Sequence, residues 1–234
     1  MTTTLKVLLA LLGYPTEELK AAAPELAAAI DAEALLPAPA RDSVVALIDD
    51  IAAGDVYDLQ ERYVLLFDRT RSLSLHLFEH IHGEGRDRGQ AMVDLMALYD
   101  EHGLEISARE LPDYLPLFLE FLSMRPFAEA RELLSQPLDI IAALGERLRR
   151  RDSVYAGVFG ALGALAAVKP DRDGLRALLD EPDDDPNDLA ALDALWEEEA
   201  VTFGPGSALD QGGDCPQTAD MLRRMGADQP SGTN

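Results

Sequence analysis

The sequence predicts an all-α fold, a single-domain helical bundle over residues 1–201 with a flexible acidic tail over residues 202–234. Ala and Leu dominate a composition that is 47% hydrophobic and 6% aromatic, which favours helix over sheet. Apolar residues recur at helical spacing, and proline or glycine separates the repeats. A chain of 234 residues is also long enough to bury one sizeable core.

The first third of the chain predicts short helices, over residues 3–12, 16–34 and 43–53 and from residue 55 onward. Thr16 and Asp55 precede two of these helices and are expected to cap them, while Pro24 restarts the second helix. Pro37 and Pro39 are expected in a loop. The helix after Asp55 carries an apolar stripe, formed by Val56, Leu59, Tyr63, Leu66 and Phe67.

Two further helices are expected in the segment that holds all the histidines, over residues 72–81 and 88–102. In the first, helical spacing places His76 and His80 together along the edge of an apolar face. In the second, we expect four apolar side chains to point inward, namely Met92, Leu95, Met96 and Tyr99.

The most apolar segment, residues 115–122, predicts a central buried helix. A proline inside a helix deletes a backbone hydrogen bond, whereas a proline in the first turn does not. We therefore expect residues 110–112 to form a tight exposed turn, Asp113 to cap the helix and Pro116 to occupy its first turn. Tyr114 is expected to be exposed.

The C-terminal part predicts helices that begin at Pro126 and Pro137, and the second ends in arginines that suit a helix C-terminus, namely Arg147, Arg149, Arg150 and Arg151. Residues 153–168 predict a helix in which Gly157, Gly160 and Gly163 form a face that a neighbouring helix can approach closely. An acidic linker then separates two short helical candidates, residues 173–180 and 187–201.

Charge and cysteine content limit the classes of partner and site. The net charge of −23 argues against a nucleic-acid partner, because phosphate binding requires clustered Lys and Arg, and favours basic partners. Cys215 is the single cysteine, so this chain alone builds no disulfide framework, which points to a reducing compartment. We read residues 7–12 as part of a first core helix, and no apolar run predicts membrane insertion.

The histidines suggest one enzymatic alternative, a zinc-dependent hydrolase. His76, Glu79 and His80 fit the H-x-x-E-H spacing of inverted zinc peptidases, in which two histidines on one helical face chelate zinc beside a glutamate base. Such a site needs a third ligand, and residues 153–168 contain no acidic residue to supply it. We therefore favour histidines that contact a partner or form hydrogen bonds at the edge of the core, and assign no catalytic or metal-binding residue.

Four arginines form a local positive group, Arg69, Arg71, Arg86 and Arg88. Salt bridges with neighbouring acids account for such a group in the simplest way, and those acids are Asp68, Glu79, Glu84 and Asp87. An anion or partner contact is the alternative, since the guanidinium group makes bidentate hydrogen bonds.

Residues 63–92, YVLLFDRTRSLSLHLFEHIHGEGRDRGQAM, and residues 110–122, ELPDYLPLFLEFL, resemble the nitrate reductase assembly branch of the NarJ/TorD/DmsD family of redox-enzyme maturation chaperones. The resemblance is dense over residues 63–124 and fainter over KVLLALLGYPTEEL near the N-terminus. It returns over residues 196–203. It implies a TorD-like all-helical cytoplasmic chaperone and no enzymatic activity.

The resemblance also implies a client and a task. The client would be the N-terminal segment of the nitrate reductase catalytic (alpha) subunit, with the alpha–beta complex as a wider assembly. The chaperone would hold this client for insertion of the molybdenum guanine-dinucleotide cofactor, and would itself bind no cofactor permanently. Relatives that serve exported enzymes carry a Glu-Pro-x-Asp-His stretch, whereas residues 110–114 here read Glu-Leu-Pro-Asp-Tyr, a departure that suits a nitrate reductase client better than a twin-arginine leader.

We expect the client to dock between the 63–82 region and the turn that leads into residues 113–122. The residues expected to contact it are Tyr63, Phe67, Asp68, His76, His80, Glu110, Pro112, Asp113, Tyr114 and Phe118. A leader segment that is amphipathic and basic would complement an acidic body with an apolar groove. Histidines on such a surface titrate near neutrality, so we also expect the affinity to depend on pH.

Overall fold

A computed structural model of the chain describes residues 1–82, 86–106 and 110–181. These residues form one helical domain without a β-strand, which confirms the predicted fold class. Its α-helices are α1 (Thr3–Leu11), α2 (Glu17–Ala21), α3 (Ala23–Glu33), α4 (Ala38–Ala53), α5 (Val56–Tyr63), α6 (Glu79–His82), α7 (Arg86–Glu101), α8 (Leu115–Met124), α9 (Phe127–Leu134), α10 (Leu138–Arg150), α11 (Ala156–Leu165) and α12 (Arg172–Asp180). The helical candidate at 187–201 and the tail at 202–234 lie outside the described residues.

Helix α8 lies at the centre of the fold, as its apolar sequence predicts. Leu115, Phe118, Leu119, Phe121 and Leu122 have no exposed surface. The helix packs against α1, and α11 packs against both α10 and α4. Within the described part of the chain, no helix is long and apolar enough to cross a membrane.

The predicted helix starts are largely confirmed in the N-terminal half. The Thr16 hydroxyl accepts a hydrogen bond from Leu19 N at 3.2 Å, and Asp55 Oδ1 accepts one from Tyr57 N at 2.9 Å. Pro24 occupies the first turn of α3. Helix α4 begins earlier than predicted, because Pro39 lies in its first turn, where a proline breaks no hydrogen bond, and not in a loop.

Close helix packing requires a glycine at one of the three predicted positions in α11. A Cβ at Gly157 would lie 2.7 Å from the carbonyl oxygen of Ser43, so α11 contacts α4 through backbone. A Cβ at Gly160 or Gly163 would meet nothing within 4 Å. The glycine face of α11 therefore contacts α4 at Gly157, whereas Gly160 and Gly163 border open space.

One predicted burial and one predicted helix extent are wrong. Met96 is exposed, and Leu98 takes its place on the buried face of α7. Helix α11 is shorter than predicted at both ends. Arg147 lies in the last turn of α10, as predicted, but it is only 2% exposed, because α12 covers this end of α10, and its guanidinium donates to the carbonyls of Ser72 and Leu178.

The helix predicted over residues 72–81 does not form as one unit. Helix α5 continues into a π-helical turn at Val64–Asp68, and a single 3₁₀ turn follows at Arg71–Leu73. Residues 74–78 are irregular, and helix α6 begins only at Glu79. Helical spacing places Leu73, Leu77, Phe78 and Ile81 on one apolar face, and of these the first three are buried and Ile81 is partly buried. Leu75, which lies off that face at helical spacing, is buried as well. Tertiary hydrogen bonds, described below, replace the helical ones.

Candidate functional site

Two irregular segments meet at a short backbone contact in front of α8. Leu77 N donates to the Asp113 carbonyl at 3.0 Å, and Leu115 N donates to the Leu75 carbonyl at 2.8 Å. These bonds enclose an isolated antiparallel bridge between His76 and Tyr114. We call residues 75–78 and 112–115 the junction. It joins the two regions between which the sequence predicted a docking site.

Asp113 organises the junction from inside, which corrects its predicted role as a helix cap. Its side chain is fully buried, and the cap position of α8 belongs to Tyr114, which provides no side-chain cap. The Asp113 carboxylate accepts hydrogen bonds from Phe78 N at 3.1 Å and from His76 Nδ1 at 3.2 Å. A buried carboxylate is stable only with such partners, so Asp113 holds the two segments in register.

The turn at residues 110–112 is hydrogen-bonded to α7 on its inner side, so it is only partly exposed. The Tyr99 hydroxyl on α7 donates to the Pro112 carbonyl at 2.9 Å. Pro112 is buried, whereas Glu110 and Leu111 point outward. The expectation of an exposed turn is therefore correct for two of its three residues and wrong for Pro112.

His76 is half-buried, and its charge is favoured by its surroundings. Its hydrogen bond to Asp113 raises the pKa of the imidazole, while partial burial opposes this rise. Glu79 also raises the pKa, and Arg88 lowers it. The imidazole ring lies beside the Tyr114 ring, with centroids 5.3 Å apart. The imidazole ring of His76 therefore forms part of the exposed surface of the junction, with its charged form stabilised by Asp113.

A group of tyrosines extends the junction across the surface. The Tyr63 hydroxyl donates to the Leu12 carbonyl at 2.8 Å and lies 3.4 Å from the Tyr114 hydroxyl. The exposed ring of Tyr14 contacts Tyr63 edge-on, with centroids 5.6 Å apart. The sequence analysis did not select Tyr14, because nothing local links the Gly-Tyr-Pro turn at 13–15 to a residue fifty positions later.

An acidic rim borders these aromatic rings. Asp68 and Glu110 are both exposed, and both raise the pKa of the Tyr114 hydroxyl, although burial of that hydroxyl raises it more. Desolvation also raises the pKa of the Asp68 carboxyl, against a lowering effect from His76. The rim and the half-buried rings together form a surface that is apolar at its centre and negative at its edge.

Six predicted contact residues lie beneath this surface, and two of them are the buried Tyr63 and Pro112. Phe118 and Asp113 have no exposed surface, Phe67 is 5% exposed and His80 is 9% exposed. His80 Nε2 contacts the Ser74 carbonyl at 2.8 Å, and burial lowers the pKa of the imidazole. These residues can shape the surface but do not form it.

The zinc alternative depended on a single helix that carries both histidines, and this helix is absent. His76 belongs to the irregular segment and His80 to α6, and their side chains bond to Asp113 and Ser74 respectively. Over the described residues, no group of three His, Cys, Asp or Glu side chains is arranged to hold a metal ion.

The arginine group divides into paired and unpaired members. Arg88 forms an ion pair with Glu79 at 3.1 Å, as the simpler interpretation predicts. Arg69 and Arg71 are exposed and form no ion pair with the part of the chain that the structure describes. The Arg86 side chain lies outside that description.

Comparison with known proteins assigns the family. A model of the nitrate reductase delta subunit family matches residues 15–161. The chain belongs to this family. The match includes the segments that carry Tyr63, His76 and Asp113, so the resemblance identified in the sequence is confirmed.

Named relatives agree with this assignment. The chain is 45% identical over 226 residues to the nitrate reductase molybdenum cofactor assembly chaperone NarJ of Escherichia coli, an alignment that covers 96% of this chain and 93% of that protein. It is 47% identical over 146 residues to the probable assembly chaperone NarW of the same organism, covering 62% of this chain and 63% of NarW. The probable NarJ of Bacillus subtilis is 32% identical over 166 residues, with 71% of this chain and 88% of that protein aligned.

Proposed function

We propose that the chain is a cytoplasmic, non-enzymatic chaperone for respiratory nitrate reductase. It binds the N-terminal segment of the catalytic (alpha) subunit, alone or within the alpha–beta complex. It holds this client while the molybdenum guanine-dinucleotide cofactor is inserted and the complex assembles. Similarity to named assembly chaperones over nearly the whole chain supports this role.

The observation that carries the proposed binding site is the acid-rimmed aromatic surface of the junction. Tyr114, His76 and Tyr14 offer half-buried or exposed rings, and Asp68 and Glu110 border them. A basic amphipathic segment would bury its apolar face on the rings and place its cations against the rim. Rings fixed from below lose little side-chain entropy on binding, which favours affinity.

The other predicted contacts take supporting roles in this proposal. Tyr63, Phe67, His80, Pro112, Asp113 and Phe118 fix the shape of the surface from below. Arg69 and Arg71, which are exposed and follow Asp68 in the chain, would contact anionic groups of the client or of the incoming cofactor. The described geometry does not favour the zinc hydrolase as a second candidate.

Calorimetric titration of the purified chaperone with the client's N-terminal peptide tests this site. We expect Tyr114→Ala to weaken binding by about 5-fold to 30-fold, since truncation of a central aromatic contact typically costs about 1–2 kcal/mol. Asp113→Lys is a poor test because it would replace a hydrogen-bonded carboxylate by an unpaired cation at a fully buried position and so report on folding.

Tyr57→Ala is the matched control. Tyr57 is a tyrosine on α5 that is 77% exposed, so its removal changes a similar amount of side chain without altering the core. Circular dichroism verifies that both variants are folded. Equal affinities for wild type, Tyr114→Ala and Tyr57→Ala would rule out the junction as the binding surface.

A further inference from the structure

Arg147 is a buried cation that forms no ion pair within the part of the chain that the structure describes. Its side chain is 2% exposed, whereas the exposed Arg149 and Arg150 of the same helix both pair with Glu146. A buried charge is stable only where hydrogen bonds replace its hydration. The hydrogen-bond partners of Arg147 therefore show which contacts this position serves.

Two carbonyl oxygens from different segments hold the Arg147 guanidinium. Nη2 donates to the Leu178 carbonyl at 2.6 Å, and Nη1 donates to the Ser72 carbonyl at 2.8 Å. Leu178 lies in the last turn of α12, where carbonyl groups lack partners within the helix and carry the negative end of the helix dipole. Arg147 therefore binds the C-terminal end of α12 and, at the same time, the 3₁₀ turn at Arg71–Leu73.

Helix α12 is held to the rest of the domain by few contacts. None of its residues is fully buried, and α10 is the helix on which it packs. Its N-terminal end is bound through the Asp171 amide, which donates to Asp139 Oδ1 at 2.7 Å. A surface helix with little buried area opens at a lower free energy than the core. Helix α12 is therefore able to leave α10 while the rest of the domain stays folded.

Hydrogen bonds connect the turn at Ser72 to the junction. His80 donates from Nε2 to the Ser74 carbonyl at 2.8 Å, because a carbonyl can only accept. The Ser74 hydroxyl accepts from the His76 amide at 3.2 Å. Burial lowers the pKa of His80, and the charge of Arg147 lowers it too, which favours the neutral imidazole beside the guanidinium. The segment before His76 is thus fixed at Ser72 by Arg147 and at Ser74 by His80.

We propose that Arg147 is a positioning residue for the junction, and that docking of α12 on α10 fixes residues 72–76 through its guanidinium. While α12 is docked, the Leu178 carbonyl holds the guanidinium where it donates to Ser72. When α12 leaves, water competes for the donors of Arg147, and the Ser72 carbonyl loses its fixed partner. The ring of His76 then loses its fixed position in the junction. The consequence for client binding rests on the proposed function, whereas the coupling between α12 and the junction does not.

Hydrogen exchange of the full-length chain, followed by mass spectrometry, tests this coupling without a client. Gly174→Val releases α12, because a Cβ at Gly174 would lie 2.8 Å from Asp139 Oδ2, in the carboxylate that also binds the Asp171 amide. We expect faster exchange in α12 and, by about 5-fold or more, in residues 72–78, which is the range typical of coupled sites. Amides of α1 are the internal reference and should not change. Gly89→Val is the matched control, because a Cβ at this exposed glycine of α7 would meet nothing within 4 Å.

Arg147→Met separates a positioning role from general packing. Methionine retains an unbranched apolar side chain but donates no hydrogen bond. In this background we expect residues 72–78 to exchange faster than in wild type, and Gly174→Val to release α12 without a further increase in residues 72–78. A purely structural role would instead give independent increases that add.

Wild-type exchange in residues 72–78 while α12 is released would overturn the proposal. An equal further increase in the Arg147→Met background would overturn it as well, because the coupling would then take another path. If Gly174→Val unfolds the whole chain, seen as faster exchange in α1, Asp171→Ala provides a milder release, since it removes only the side-chain cap of α12. Amides of α12 that stay protected in Asp171→Ala would show that α12 does not open separately, which refutes the proposal.

Calorimetric titration with the client's N-terminal peptide then measures the consequence for the proposed function. We expect Gly174→Val to weaken binding relative to Gly89→Val, and the two substitutions to bind equally in the Arg147→Met background. Coupled exchange without peptide binding in wild type would contradict the proposed function and leave the positioning role standing. Peptide binding without coupled exchange would refute the positioning role and leave the proposed function standing.

Discussion

Helix α8 and the segment 71–82 both carry apolar residues at helical spacing, but their backbones differ. In α8 the backbone groups bond within the helix, and the side chains of Phe118 and Phe121 fill the core. In segment 71–82 the backbone amide of the buried Phe78 donates to the Asp113 carboxylate. The neighbouring amide of Leu77 donates to the Asp113 carbonyl, also outside its own segment. Apolar spacing therefore predicts most of the buried residues in both regions, but it predicts the backbone conformation only in α8.

A buried carboxylate accounts for the difference. Asp113 accepts hydrogen bonds from the Phe78 amide and the His76 imidazole of the other segment. In a continuous helix over residues 72–81, the Phe78 amide would instead donate to a carbonyl within the helix. The irregular backbone also turns His76 outward beside Tyr114. The proposed binding surface thus depends on the hydrogen bonds to Asp113 that replace helical hydrogen bonds in segment 71–82.

The largest expected effects test whether the irregular segment is packed as firmly as the helix. Phe118 and Phe78 are both fully buried. We expect Phe118→Ala and Phe78→Ala each to lower the free energy of unfolding by about 3–5 kcal/mol, because each leaves a cavity in a close-packed core. Urea unfolding of the two variants measures this. A loss for Phe78→Ala below half that for Phe118→Ala would show that segment 71–82 is the softer region.

Removal of the Asp113 carboxylate tests the hydrogen bonds themselves. We expect Asp113→Ala to lower the free energy of unfolding by about 1–3 kcal/mol, because the buried amide of Phe78 loses its acceptor. Asp113→Asn should cost less, since its side-chain oxygen can still accept from that amide. Urea unfolding at one pH ranks the two variants. Equal losses would mean that the acceptor is unimportant and that the charge of Asp113 alone holds the junction.

The sequence was sufficient for most of the regular elements, because their determinants are local. Thr16, Asp55 and Pro116 act on residues within one helical turn, and their roles are readable from neighbours in the chain. Family membership was also readable, since the motifs around residues 63–92 and 110–122 are distinctive. These predictions required no knowledge of which distant segments meet.

The candidate site required that knowledge. Asp113 has the sequence context of a helix cap, and only the approach of residues 75–78 gives its carboxylate other partners. Arg147 likewise has the context of an exposed helix end until α12 covers it. Tyr14 joins the tyrosine group through a ring contact with Tyr63 of α5, which is distant in the sequence. Tertiary contacts over long sequence separations, which single-sequence patterns do not encode, decided all three positions.

The smallest expected effect separates the two histidines by the sign of their pH dependence. The bond to Asp113 raises the pKa of His76 above its ordinary value of 6.5. The stability it contributes is therefore complete below pH 6.5 and is lost as the pH rises through the folded-state pKa. Burial lowers the pKa of His80, so its contribution is present above its ordinary pKa and is lost as the pH falls through the folded-state pKa.

Urea unfolding of wild type, His76→Gln and His80→Gln between about pH 6 and pH 8 distinguishes these contributions. The stability lost in His76→Gln should be larger at the acid end, because Asp113 and Glu79 then face a charged imidazole and outweigh Arg88. The stability lost in His80→Gln should be larger at the alkaline end. If client binding uses the charged form of His76, peptide affinity will also be higher at the acid end in wild type and independent of pH in His76→Gln. If His76→Gln lowers the free energy of unfolding by the same amount over this whole range, the hydrogen bond between His76 and Asp113 does not depend on protonation of His76. The junction would then be stabilised by packing and by hydrogen bonds that do not change with pH.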